Sequence, residues 1–388
     1  MSAGHPGGPG DRYDAIVVGL GSMGSAAAYH LARRGARVLG LEQFDFVHEQ
    51  GSMHGLSRII RLAYHEHPDY VPLLRRAYEL WYELEDSEEP LLTVTGQLAI
   101  GSPEGPLIAG ALLACREHDL PFELLDGDAV RERFPQFAPE PGSVAIYQPE
   151  GGFLDPERSV RAHLDAALAA GAELRSGERV LDWTAAADGV RVRTDRASYE
   201  AGRLVLAPGA WAPALLHLPP ELFAVERQVV AWFEPLDPEP FTPDRMPIFF
   251  VETGGEDHYG FPNIDGVGVK LGRMGFPGQP VGDPEAMDRT PGEAEIEVLR
   301  AFLAEHVPAA AGALTKAGVC MFTNTPDGHF LLDLHPTEPN VVVASACSGH
   351  GFKFASVVGE ILAELALDGD TRHPIDFLRY DRLTGIPA

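Results

Sequence analysis

Gly19-Leu20-Gly21-Ser22-Met23-Gly24 stands between an apolar, β-branched run at residues 14–18 and an Ala/Leu-rich stretch with helical periodicity at residues 25–34. A strand that enters a glycine-rich turn and leaves as a helix limits the fold more than any other local feature of this chain. Gly19 permits the tight turn, Gly21 lets a pyrophosphate approach the backbone at the positive end of the helix dipole, and Gly24 lets helix and strand pack closely. Ser22 and Met23 complete the turn and belong to the same binding surface. A second strand, residues 37–41, ends at Glu42, whose carboxylate suits ribose hydroxyls and disfavours a 2′-phosphate and hence NADP. The result is a βαβ unit with a right-handed crossover. A glycine turn without a ligand is the plain alternative, and the motif alone does not separate NAD from FAD.

The chain has 388 residues, beyond the size at which single cores usually stop growing, so two domains are expected. Its formal charge is −27, which argues against nucleic acid or an anionic membrane as partner and requires a local cation cluster for any anionic substrate. With 45% hydrophobic and 22% charged residues it is ordinary globular material. No apolar run approaches the roughly 20 residues of a membrane span, and the N-terminal segment reads as a flexible tail without the apolar core of a signal peptide. Cys115, Cys320 and Cys347 are an odd set at spacings unlike a zinc or disulfide framework, which fits a reducing cytoplasm and no metal.

Further along, residues 72–85 carry one apolar helical face, residues 105–118 and 156–170 read as helices, and residues 96–100 and 143–147 read as strands. Residues 178–194 alternate as a hairpin with Asp188-Gly189 at its turn. An apolar run at 203–206 ends at Ala207-Pro208-Gly209-Ala210-Trp211, and alternating stretches at 228–233 and 267–272 suggest an antiparallel sheet. Residues 276–293 read as an acidic, Pro/Gly-rich surface loop; a strand at 341–346, a turn at 348–351 and a helix at 354–367 close the chain. This alternation predicts an α/β nucleotide-binding domain assembled from residues 12–95, 150–222 and 320–388. A mostly antiparallel domain, 96–149 and 223–319, would interrupt it.

Two cation clusters stand out. Arg58 and Arg61 lie three apart beside a Gly/His-rich loop containing His54, where a guanidinium fork would suit a carboxylate and an internal ion pair is the bland alternative. Lys353 follows Gly349-His350-Gly351 at the start of the last helix, where the dipole disfavours a cation, so either an anionic partner or an exposed loop lysine accounts for it.

The segments GLGSMGSAAAYHLARRG, GSMHGLSRIIRLAYHEHPDYVPL, HYGFPNIDGVGVKLG, VCMFTNTPDGHFLLDLHP and SGHGFKFASVVGEIL together resemble the monomeric sarcosine oxidase and N-methyltryptophan oxidase family of flavoprotein amine oxidases. The resemblance runs in order from Tyr13 to about Leu367. It implies a Rossmann-like FAD-binding domain with a mostly antiparallel substrate domain, acting as a monomer on a small-molecule amino acid and O2. In such an enzyme a secondary, N-methyl α-amino acid is oxidised through an imine, with O2 reduced to H2O2. By the same resemblance Cys320 carries a thioether to the 8α carbon of FAD, Arg61 and Lys353 bind the substrate carboxylate, and Arg58 and His54 lie against the flavin ring. Lys270 serves oxygen activation, and Tyr259 lines the substrate cavity.

Two positions depart from the sarcosine oxidase pattern: Met274 replaces a histidine and Phe322 a tyrosine, so the pocket should be more apolar than one shaped for sarcosine. Residue chemistry leaves alternatives for three positions: a solvent-facing strand lysine at 270, a structural thiol at 320, and Cys347 as rival attachment point. Competing functions are an NAD-linked dehydrogenase, which leaves Cys320 and the SGHGFK turn without a role, and a flavin-binding subunit without turnover.

Overall fold

Three consecutive elements form as the glycine turn demands: strand Tyr13–Val18, helix Ser22–Arg33 and strand Val38–Leu41, which lies parallel to the first. The computed structural model describes residues 12–85, 89–186, 188–274 and 281–384; the tail at 1–11 and the stretch 276–280 of the acidic loop lie outside the described residues. Ser198–Leu206 flanks Tyr13–Val18 on its other side, and Glu338–Ser345 pairs parallel to the end of Ser198–Leu206. The strands of this parallel core are apolar on both faces, because helices cover one and the other packs on Trp183, Val190, Val192, Leu216 and Leu222. Ser22–Arg33 packs against both Pro156–Ala169 and Ala355–Asp368. The hairpin forms as Val180–Ala186 and Gly189–Thr194, and its second strand pairs antiparallel with the beginning of Ser198–Leu206.

Among the described residues the second sheet has eight strands, in the order Leu314–Asn324, Ala224–Phe233, Val269–Arg273, Glu256–Asn263, Ile248–Thr253, Gln97–Gly101, Val144–Gln148 and Glu123–Asp126. Its described pairs are antiparallel except Ile248–Thr253 beside Gln97–Gly101. The mixed α/β architecture with a largely antiparallel second sheet agrees with the expected fold class. The sheet is larger than the alternation announced: Ala224–Phe233 starts four residues earlier than expected and pairs along its length with Leu314–Asn324. That partner strand begins exposed and polar, which hides it from a hydrophobic pattern. It also runs through residue 320, so the junction expected there falls inside a strand of the second sheet. Helix Glu293–His306 follows the acidic loop, with Leu299, Phe302 and Leu303 buried.

A small third sheet, Arg58–Ile60, Gly152–Leu154 and Leu92–Val94, carries Arg58 and delivers the chain to Arg61. Among the described residues no helix is long and apolar enough to cross a membrane.

Candidate active site

A cavity of about 590 Å³ runs from the glycine turn across the face of the second sheet to the loop before the last helix. Its volume is that of a cofactor or small-molecule site. Gly19, Gly21, Ser22, Met23 and Glu42 form one end, and Arg58, Arg61, Tyr259, Lys270, Met274, Cys320, Gly349, Gly351 and Lys353 line the remainder. Two predicted residues are not on the wall. Gly24 is covered, since a Cβ there would stand 1.7 Å from the Gly19 carbonyl oxygen. His54 contributes its carbonyl, which accepts from Arg58, while its ring Nε2 is buried without a partner among the described residues and burial lowers the imidazole to about 4.

The glycine-turn end is built for an anion. Gly19 has φ +84°, and a Cβ would come within 2.5 Å of the Ala207 oxygen. A Cβ on Gly21, by contrast, would meet nothing within 4 Å, so the backbone there is open to the cavity. Helix Ser22–Arg33 has no side-chain cap and no acid in its first turn, which leaves its first N–H groups for a ligand. Glu42 is fixed by the backbone N–H groups of Leu20 (2.9 Å) and Phe44 (3.0 Å), each using one carboxylate oxygen and leaving acceptor capacity on both.

Two buried cations meet at the far end. Arg61, 1% exposed, donates through one nitrogen to both oxygens of Glu66 at 2.6 Å and through another to the Ala63 carbonyl, while its Nε has no partner among the described residues. Its guanidinium lies 4.1 Å from the Tyr64 ring centre and 4.8 Å from that of Phe250. Burial would raise the Glu66 carboxyl, but Arg61, with His65, His350 and Lys353, holds it well below the usual range. Lys353, 4% exposed, donates to the His350 carbonyl. Burial, then Arg61, push it down to about 7, against a partial opposing pull from Glu66.

Lys270 is 2% exposed, which removes the solvent-facing alternative. Nζ donates to the carbonyls of Gly55 (2.7 Å) and Ser57 (2.8 Å) and to Ser57 Oγ (3.2 Å), three acceptors for the three N–H bonds of an ammonium. Burial, then Arg58, lower its pKa well below the ordinary lysine value. Cys320 is buried beside it, its thiol pushed up by burial and partly offset by Arg58 and Lys270. Cys347 is half-buried and accepts a long N–H···S contact from Thr323 at 3.4 Å.

Residues 14–365 match the family described as FAD dependent oxidoreductase, DAO. The chain belongs to this FAD-dependent oxidoreductase family. It is 47% identical to a monomeric sarcosine oxidase of Streptomyces avermitilis over 97% of this chain and 99% of that one. It is 34% identical to an N-methyl-L-tryptophan oxidase of Salmonella dublin over 96% and 100%. Among solved structures it is similar to NikD, an unusual amino acid oxidase, at 31% identity with a TM-score of 0.82, covering 95% of this chain and 97% of that one. Membership in this family makes FAD, and not NAD, the cofactor of the chain.

Glu66, His65 and Asp257 also line the cavity and were not singled out from the sequence. Only Glu66 had a visible signal, as the acid five residues after Arg61. Asp257 is the position two before Tyr259 on the same strand and hence on the same face.

Proposed function

We propose that this chain is an FAD-dependent oxidase of N-methyl or other secondary α-amino acids, releasing aldehyde and amine through an imine and H2O2 from O2. The observation that carries the reading is the pair of buried cations, Arg61 and Lys353, on the wall of a cavity whose other end is an uncapped glycine turn. Bound FAD would accept the electron pair and hydrogen from the substrate C–H bond and return the electrons to O2.

The substrate carboxylate would take hydrogen bonds from Arg61 and Lys353. Glu66 balances one of the two cations, so a bound carboxylate brings the four charges to neutrality inside a buried site. Tyr259, Phe250 and Met274 would wall the substrate, and Arg58, anchored on the Ser52, His54 and Ser57 carbonyls, would stand against the cofactor ring. Lys270, its Nζ held by three acceptors, would as an ammonium stabilise the negative charge that develops on O2. Cys320 is the attachment thiol in this reading, by its place on the cavity wall beside Arg58 and Lys270, whose charges offset part of the burial that raises its thiol. The relatives' name supports a single chain as the working unit, and the free thiols support the cytoplasm.

The deciding experiment is H2O2 release with a panel of N-methyl and cyclic amino acids, paired with anaerobic bleaching of the bound chromophore. Substrate-dependent bleaching and peroxide are the expected result. A stable yellow protein that no secondary amino acid bleaches would leave the non-catalytic flavin-binding subunit instead.

A further inference from the structure

The strands Glu256–Asn263 and Val269–Arg273 present a ladder to the cavity: Phe261 opposite Lys270, then Tyr259 opposite Gly272, then Asp257 beside Met274, whose N–H donates to the Asp257 carbonyl at 2.8 Å. Asp257 therefore stands two residues, about 7 Å, beyond Tyr259 along the same wall. It lines the cavity, and among the described residues no cation or hydrogen-bond donor reaches its carboxylate. The charged groups that act on it, Glu252 and Glu66, are both acidic, so together with burial they raise its pKa. Met274, beside Asp257, and Phe322 give this part of the wall an apolar stretch. A Cβ placed on Gly349 would come within 2.8 Å of the Met274 methyl and 2.9 Å of the Phe322 ring, so these two side chains meet over the loop before Lys353.

Asp257 is half-buried on the cavity wall with Glu252 and Glu66 as its charged neighbours, so a ligand that brings a cation to it relieves like-charge repulsion and gains a charge-assisted hydrogen bond. We infer that Asp257 is a specificity residue for the substrate side chain, and that the preferred substrates are N-methyl α-amino acids whose alkyl side chain ends in an amine or guanidine. The carboxylate of such a molecule pairs with Arg61 and Lys353, its aliphatic stem lies along Met274 and Phe322, and its terminal cation pairs with Asp257. A long side chain with an apolar stem and a charged head matches that sequence of surfaces. The assignment rests on the amino-acid oxidase reading above, and adds to it which side chain the cavity selects.

The test compares kcat/KM for Nα-methyl-lysine and Nα-methyl-ornithine with that for Nα-methyl-norleucine and Nα-methyl-norvaline, in the flavin-loaded wild type and in Asp257→Asn and Asp257→Glu. The wild type is expected to favour the cationic member of each pair by roughly tenfold or more, the worth of a charge-assisted hydrogen bond. Asp257→Asn should collapse that ratio toward one, and Asp257→Glu should retain a preference. A neutral fold defect would lower all four rates together and leave the ratio unchanged. Equal use of both members by the wild type, or the same ratio in wild type and Asp257→Asn, overturns the assignment while the oxidase reading stands. Failure to oxidise any of the four, or any other secondary amino acid, overturns the oxidase reading itself.

Discussion

At the residue scale the site depends on charges held out of water. Arg61→Ala removes both a donor to the substrate carboxylate and the partner of Glu66. KM should rise by roughly 10- to 100-fold. The stranded carboxylate should cost about 3 kcal/mol of stability, seen as a fall in Tm. The double change Arg61→Ala with Glu66→Gln should recover Tm but not KM, which separates the two roles. Lys353, depressed to about 7 by burial and Arg61, gives a pH dependence with a defined sign. Below that value the ammonium is already present; above it, binding a carboxylate must recruit a proton. Affinity for a simple carboxylate inhibitor such as acetate should be flat below pH 7 and fall as pH rises above it, and Lys353→Arg should abolish the fall. Lys270→Met should slow reoxidation by O2 far more than anaerobic reduction, and equal effects in stopped-flow measurements would remove its role. Cys320→Ala should release the flavin on acid denaturation and Cys347→Ala should not, with the opposite pattern moving the attachment site.

At the scale of elements, close helix packing transmits position to the site. Helix Ala355–Asp368 begins two residues after Lys353 and presses on Ser22–Arg33 at Gly359, where a Cβ would come within 2.4 Å of the Ala26 Cβ and 2.5 Å of its carbonyl carbon. Gly359→Ala would force the two helices apart at a cost of about 1–3 kcal/mol. Both ends of the cavity should feel it: Tm falls, flavin loading weakens because the glycine-turn helix moves, and KM rises because Lys353 is displaced. Normal flavin content and KM in a destabilised Gly359→Ala protein would show that this packing serves stability alone. The antiparallel sheet acts differently. Its strands carry Tyr259, Lys270 and Cys320 at fixed register, Gln228 opposite Cys320 and Trp232 opposite Lys270, so a chemical order along the cavity is written into backbone hydrogen bonds.

For the whole molecule, the cofactor region and the antiparallel sheet share one cavity, so a ligand that fills it must couple them. Flavin-free protein, obtained by expression without riboflavin, should melt at a lower temperature than the loaded enzyme. Adding FAD at a thousand times its Kd should restore about 4 kcal/mol before any covalent bond forms. Against a net charge of −27, the buried Arg61 and Lys353 supply the local pair of cations that an anionic group requires.

Much of this was legible in local pattern. The glycine turn, its strand and helix, Glu42, the Asp188-Gly189 hairpin and the closing strand and helix follow from steric and periodic rules that act over a few residues, and the structure has them where those rules put them. The clustering of Arg61, Lys353 and Lys270 on one cavity was implied by resemblance and decided by folding, because no local rule tells a buried strand lysine from an exposed one. The strand Leu314–Asn324 was hidden for a related reason: its start is polar and exposed, and only pairing with Ala224–Phe233 gives it a structure. The open carboxylate of Asp257 belongs wholly to tertiary structure, and the pairing of Glu66 with Arg61, hinted at by their spacing, was decided there too. An acid's chemistry is set by which charges the fold places around it, and the amino-acid order alone does not contain those distances.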